Sequence, residues 1–217
     1  GVAPAGARAE ASFTTPEAPE LQALLADMRT AQVDCVTLEA SSHALVQRRT
    51  WGLACDACVF TNLTQDHLDY HGTMAAYLDA KLMLFDGRNA DTRSGTAKPC
   101  TAIVNADDAH AAAVTIAAER GGMRVRFYGS PEKVGDRDGV AVLALSAHAT
   151  GLSLRLRERE LGGTTEYACE LPMLGRYNAW NAAAAWLAAR ALGLDGAAAT
   201  RGLEHSRGVP GRLERVD

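Results

Sequence analysis

The sequence predicts an α/β domain: a mainly parallel sheet flanked by helices, with a small antiparallel sheet appended to it. Three observations carry this expectation. Short, continuous apolar runs alternate with helix-like segments, the pattern of strands buried on both faces. Beyond Pro131 the pattern changes, and Leu152, Leu154 and Leu156 alternate with Ser153, Arg155 and Arg157, as in a half-exposed antiparallel strand. Polar residues gather just past the ends of the apolar runs, at Glu39, at His67 and at Asn105 to Asp108, the edge where open α/β sheets bind ligands.

Taken in order, Thr14-Thr15-Pro16-Glu17 reads as a helix start, with Thr15 as the cap, Pro16 in the first helical position and Glu17 in the first turn. Leu21, Leu24, Leu25 and Met28 supply its apolar face. Val33 to Leu38 is the first expected strand and ends at Glu39; Ala57 to Thr61 is the second. A helix follows in which Met74, Tyr77, Leu78, Lys81, Leu82 and Phe85 share one stripe, so a lysine lies among core-facing positions. Thr101 to Val104 is the third strand, Ala109 to Arg120 a helix, and Arg124 to Tyr128 the fourth strand. Val140 to Leu145 and Thr165 to Leu171 read as antiparallel partners of the Leu152 strand. An Ala-rich helix spans Asn178 to Leu192 and closes at Gly193, and a shorter helix spans Gly196 to Leu203.

Composition narrows the function classes. The 217 residues are 47% apolar, ordinary for a folded domain, with a net charge of -4. That charge gives no electrostatic case for binding nucleic acid or a membrane surface. No apolar run approaches the length of a membrane span, and the first residues carry no secretory pattern. Five scattered cysteines argue against a disulfide framework and fit a reducing cytoplasm. Cys55 and Cys58 form a C-x-x-C, but no second pair completes a zinc site, and Cys58 enters a strand rather than a helix; they read as small buried residues. Gly1 to Ser12 lacks periodicity and initiator methionine, as expected of a processed form or a piece of something longer.

Several residues could carry chemistry. Asp66, His67, Asp69 and His71 suit either a zinc-type hydrolase built on His67 and His71, or a magnesium site with few protein ligands; turn-forming loop residues are the plain alternative. An ammonium on an apolar stripe must find a carboxylate, reach solvent, lose its proton or be modified. A neutral Lys81 amine could add carbon dioxide and become an anionic carbamate. Glu39 is placed to hold a divalent ion. The Ser41-Ser42-His43 run lacks the elbow of a serine hydrolase. Gln47, Arg48 and Arg49 suit carboxylate or phosphate recognition, or a solvated helix end. Asn178 and Asn181, one helical turn apart, could cap a helix or read a nucleobase edge.

The runs TTPEAPELQ, LEASSHALVQRR, VFTNLTQDHLDYHGTMAAYLDAKLMLF, LGRYNAWNAAAA and GVPGRLERV closely resemble the Mur ligases, in the family's order from Thr14 to Val216. The similarity is greatest to the branch that adds a diamino acid, meso-diaminopimelate or L-lysine, to UDP-MurNAc-L-Ala-D-Glu. It implies the family's P-loop NTPase-like central ATPase domain in a cytoplasmic, monomeric enzyme of peptidoglycan synthesis, with ATP and magnesium (Mg2+) as cofactors. It implies Glu39, His67 and a carbamylated Lys81 as catalytic metal ligands, and Thr14, Thr15, Ser41, Gln47 and Arg49 as contacts of the nucleotide-dipeptide substrate. Asn178 and Asn181 resemble adenine contacts, and Arg212 a contact near the ribose and phosphates. Two departures stand out: Phe13 replaces the family's usual Asn, and no G-x-x-x-x-G-K-[ST] loop occurs. Residues 1–207 are therefore expected to be a truncated central domain, inactive alone, and 208–217 the start of a linker to a further domain. Another Mur-type or folylpolyglutamate synthetase-like ligase, and a degenerate nucleotide-sugar binding module, are the alternatives.

Overall fold

The computed structural model describes residues 14–90 and 98–206; the expectations on Phe13, Arg212 and the 208–217 linker fall outside them. The described residues form two compact units, residues 14–54 with 65–90, and residues 55–64 with 98–206. No helix among them is long and apolar enough to cross a membrane.

The first unit is helical. Helix α1 is Ala18–Thr30, α2 Ser42–Val46, α3 Leu68–His71 and α4 Met74–Leu82. The start of α1 differs from the expectation. Glu17 holds the extended N-cap conformation and Pro19 lies in the first turn. Thr15 is not a cap: its hydroxyl donates to the Glu39 carbonyl at 2.7 Å and accepts from the Ser41 amide at 3.1 Å. A single long-range link to two backbone groups replaces the local cap. Leu21 is the buried anchor of α1, whereas Leu24 is exposed; the apolar face follows Leu21, Leu25 and Met28 at helical spacing.

Val33 to Leu38 is not a strand. A strand exists only as one side of a hydrogen-bonded ladder, and no described residue pairs with this segment. Val33 and Val36 are accordingly exposed. Helix α4 begins at Met74, with the Thr73 hydroxyl accepting from the Ala76 amide at 3.1 Å. Tyr77, Ala80 and Phe85 are buried, and Lys81 is half-buried on the same stripe. Thr50 and Asn89, both buried, close the unit: the Thr50 hydroxyl donates to Asn89 Oδ1 and Asn89 Nδ2 donates to the Thr50 carbonyl, both at 3.0 Å.

The second unit is built on one six-stranded sheet in sequence order, β1 (Ala57–Phe60), β2 (Thr101–Asn105), β3 (Arg124–Gly129), β4 (Gly139–His148), β5 (Gly151–Glu160) and β6 (Gly163–Leu171). Strands β1 to β4 are parallel, and β4 to β6 antiparallel. The antiparallel part is thus appended as expected and continues the same sheet through β4. Its helices are α5 (Ala111–Arg120), α6 (Pro131–Val134), α7 (Asn178–Ala191) and α8 (Gly196–Glu204). Helix α7 packs across β1 to β4 and α8 against β6. Buried alanines at positions 179, 182, 183 and 184 let α7 approach the sheet closely. Ile103, Leu154 and Leu156 join Trp186 and Leu187 in its core, while Ala102 and Val104 alternate to the other face of β2.

Gly139 fixes the entry to β4. Its φ is +152°, and a Cβ there would lie 1.8 Å from the Phe127 carbonyl oxygen, the residue with which it pairs. Gly139→Ala is expected to cost about 3 kcal/mol or more. Gly122→Ala, also at positive φ but facing open space, should cost about 1 kcal/mol. Urea unfolding midpoints of the two variants check the contrast.

Candidate functional site

In the first unit the structure joins four residues implied as substrate contacts into one network. Ser41 caps α2, its hydroxyl accepting from the Ala44 amide at 3.2 Å, and its own amide donates to the Thr15 hydroxyl. Arg49, buried, donates through Nη1 to the Thr15 carbonyl at 2.9 Å and through Nε to Gln47 Oε1 at 2.8 Å. It also pairs with Glu17 at 2.8 Å. Through Thr15 this network reaches the backbone of Glu39, whose residue is exposed. Thr14, next to Thr15, is exposed. Arg48 turns the chain between α2 and Arg49 with φ +58°. The i, i+2 spacing of Gln47 and Arg49, with a left-handed residue between them, is what turns both toward one another.

A second group gathers aromatic and imidazole rings. His67 has a left-handed backbone (φ +53°) and precedes α3, with its amide donating to Asp66 Oδ1 at 2.8 Å. Its ring lies 5.0 Å from that of His43 and 5.8 Å from that of Tyr77. His43 also meets Tyr70, at 4.0 Å between centroids. His71 stacks on Tyr77 at 5.0 Å and shares a 2.9 Å hydrogen bond with the buried Ser42 hydroxyl. Burial lowers the His71 pKa, and the neighbouring His43 and His67 add to the shift. Lys81 Nζ lies 5.1 Å from the centre of the Tyr77 ring, within cation–π range. Tyr77 therefore stands between His67 and Lys81, two of the three implied metal ligands. Tyr77 is expected only as a core residue and His43 only as part of the Ser41-Ser42-His43 run, while Tyr70 carries no expectation; the signal for Tyr77 is an aromatic one helical turn before the lysine.

Among the described residues no three His, Cys, Asp or Glu side chains are grouped to hold a metal ion. Of the three implied ligands only Glu39 carries an oxygen donor as it stands, and magnesium takes oxygen ligands, few of them from protein; Lys81 would fit such a site only as a carbamate, and the three do not match the ligand set of a catalytic zinc site.

In the second unit, Asn178 and Asn181 face each other at the start of α7. Asn178 Nδ2 donates to the Leu174 carbonyl at 2.7 Å and its Oδ1 accepts from Asn181 Nδ2 at 3.0 Å. Neither side chain caps α7, whose N-cap residue is Tyr177. Asn178 is half-buried and Asn181 exposed. Between them, Trp180 Nε1 donates to Asp107 Oδ2 at 2.7 Å, and the Ser130 amide donates to the same oxygen at 2.7 Å. Asp107 therefore ties the end of β2 to the first turns of α6 and α7. Asn105 donates to the Thr61 carbonyl at 2.7 Å, and Asp108 accepts from the Leu63 amide at 2.9 Å. The polar residues past β2 are used as anchors, a role that their spacing did not reveal.

Burial alone would raise the Asp107 pKa, but hydrogen bonds from the Ser130 hydroxyl, the Trp180 indole and the Ser130 amide outweigh it, and the carboxyl lies below its ordinary 3.8. A depressed carboxyl contributes stability that is present above its unfolded pKa and lost as pH falls through the folded one. Below about pH 4 the protein should therefore lose stability through Asp107, and Asp107→Asn should flatten that part of the profile. Urea unfolding of both proteins at pH 7 and pH 3 measures the difference.

Residues 2–189 match the Mur ligase middle domain. The UDP-N-acetylmuramoyl-L-alanyl-D-glutamate--2,6-diaminopimelate ligase of Geobacter metallireducens is 39% identical over 209 residues, covering 95% of this chain and 38% of that protein. The ligase of the same name from Solibacter usitatus is 35% identical over 213 residues, covering 98% and 40%. The UDP-N-acetylmuramyl-tripeptide synthetase of Roseiflexus sp. is 37% identical over 212 residues, covering 94% and 39%. A solved structure of a 2,6-diaminopimelate ligase superposes with a TM-score of 0.78 at 31% identity, covering 93% of this chain and 39% of that one. MurF of Acinetobacter baumannii, at 24% identity and a TM-score of 0.60, shares the fold. The chain spans about two-fifths of the length of the curated relatives it matches.

Proposed function

Because the chain belongs to the Mur ligase family, through its middle domain, we propose that it is the ATP-handling part of an amide-forming ligase. The reaction joins meso-diaminopimelate to the D-glutamyl carboxylate of UDP-MurNAc-L-Ala-D-Glu, in cytoplasmic peptidoglycan synthesis, and the whole enzyme works as a monomer. Residues 1–207 serve as the ATP-binding domain and 208–217 lead toward the next one. The observation that carries this reading is Lys81, half-buried beside Tyr77, whose ring also faces His67. The names of the relatives support diaminopimelate as the amine, with L-lysine the competing choice.

The γ-phosphoryl group of ATP passes to the glutamyl carboxylate, the amine attacks the acyl phosphate, and phosphate leaves. Bound magnesium supplies charge neutralisation on the transferring phosphoryl group. Glu39 and His67 would hold it together with a carbamate on Lys81. The Lys81 ammonium would first lose a proton; its neutral amine would then form one N–C bond with carbon dioxide and release a second proton, so that a cation is exchanged for an anion. Partial burial beside Tyr77 strips hydration from an ammonium and so favours that exchange. Thr15, Ser41, Gln47 and Arg49 hold one another in place, a preorganised surface for the nucleotide-dipeptide with Thr14 exposed beside it. Asn178 orients Asn181 toward the adenine edge, and Arg212 serves the ribose and phosphates.

The test is product formation by the whole protein. Phosphate release and a product of the tripeptide mass should require ATP, the dipeptide nucleotide and diaminopimelate together, and residues 1–217 alone should not turn over. Phosphate release without the dipeptide nucleotide, or efficient use of lysine in place of diaminopimelate, would refute the respective part of the reading.

A further inference from the structure

Three of the five cysteines meet at the start of β1 and β2. Cys55 lies two residues before β1, Cys58 is the second residue of β1, and Cys100 immediately precedes β2. The parallel register pairs Cys58 with Ala102, so Cys100, two residues earlier, shares the pleat face of Cys58. Cys58 Sγ lies 3.8 Å from Cys100 Sγ, and Cys55 lies three residues before Cys58 in the chain. Cys58 is buried, as its sequence context suggested, while Cys55 and Cys100 are half-buried. No metal-holding group of three occurs among the described residues.

Cys58 is the shared partner. Its hydrogen bond lowers the Cys55 thiol to about 7, with burial and Asp56 opposing and Lys98 assisting. The same partner lowers Cys100, against burial. Cys58 itself is pushed upward by both neighbours and by burial, so it keeps its proton. A half-exposed thiolate beside a buried thiol is the arrangement that peroxide oxidises and a second sulfur resolves.

We propose that Cys55, Cys58 and Cys100 form a reversible oxidation site, in which a peroxide closes a disulfide between Cys58 and one of its two neighbours. The neighbour's sulfur takes one peroxide oxygen, the O–O bond breaks, and one water leaves, giving a sulfenic acid. Cys58 sulfur then attacks that sulfur, the S–O bond breaks, and the Cys58 proton departs with hydroxide as the second water. Two thiols are oxidised by two electrons, and one peroxide is reduced to two waters. The sulfurs must close to about 2 Å; Cys55 and Cys100 lie just outside the strands. The site is at the opposite end of β2 from Asn105 and Asp107, apart from the nucleotide contacts proposed above.

The reduced chain is treated with a slight excess of hydrogen peroxide, quenched, denatured and alkylated. Titratable thiols should fall from five by two, and the mass by two hydrogens, with dithiothreitol restoring both. A non-reducing digest should show Cys58 linked to Cys55 or Cys100, with Cys35 and Cys169 alkylated. Cys58→Ala should abolish the disulfide, and Cys35→Ser should leave it unchanged. Persistence of five thiols, a disulfide between two chains through Cys35, or an intramolecular disulfide that survives in Cys58→Ala would overturn the proposal. If Cys58→Ala does not fold, the digest of the Cys35→Ser protein decides by the same linkage.

Discussion

Lys81→Arg in the whole ligase is expected to lower kcat by about 10³-fold, close to 4 kcal/mol of transition-state stabilisation. Arginine retains the positive charge, the stacking partner Tyr77 and most of the length. It does not form the carbamate. If Lys81 acted simply as a cation over Tyr77, arginine would serve nearly as well, because guanidinium binds aromatic faces at least as readily as ammonium. Lys81→Ala should fall as far as Lys81→Arg. The affinity for the dipeptide nucleotide should change far less than kcat in either variant, since Thr15, Ser41, Gln47 and Arg49, the proposed substrate contacts, hold one another in place. Steady-state kinetics with a separate binding measurement distinguishes the two outcomes: equal, large losses in kcat for both variants, or near-normal rates in the arginine variant.

Trp186→Ala is expected to reduce stability by about 4 kcal/mol. Trp186 is fully buried on α7, with its ring 5.0 Å from Tyr167 of β6 and its Nε1 donating to Thr200 of α8 at 3.0 Å. Truncation removes the side chain that joins three elements and leaves a cavity between them. The Thr200 hydroxyl keeps its own bond to the Gly196 carbonyl at 2.8 Å, so the loss is one of packing more than of an orphaned polar group. Trp186→Phe should therefore cost only about 1–2 kcal/mol, mainly the indole hydrogen bond and a smaller void. Chemical denaturation of both variants measures the difference. A loss below about 1 kcal/mol for the alanine variant would show that the α7 core relaxes around the gap.

The second unit was legible in the sequence because its strands carry the signal that burial imposes. β1 and β2 are short apolar runs, β3 is apolar from Phe127 onward but carries Arg124 and Arg126, and β5 alternates because one of its faces is exposed. Val33 to Leu38 looked equally strand-like, yet a strand needs a neighbour, and apolar composition says nothing about whether one is present. Thr15 misled for a related reason. Its local context favours a cap, while its bonds to Glu39 and Ser41 span more than twenty residues, a distance over which no spacing rule operates. Lys81 was readable from helical periodicity alone, whereas its neighbour Tyr77 became visible as part of the site only when the rings of His67 and His71 were in place. Asp107 shows the opposite error: a carboxylate at a ligand-binding edge that the fold itself consumes, through Ser130 and Trp180.

Carbon-13 NMR of the whole protein in ¹³C-bicarbonate, with magnesium present, tests the chemistry of Lys81 most directly. A protein-bound carbamate signal is expected, present in the native sequence and lost in Lys81→Arg. A turning-over enzyme that shows no such signal under those conditions, or one whose signal persists in Lys81→Arg, would contradict the assignment of Lys81 as the source of the metal-binding oxygen.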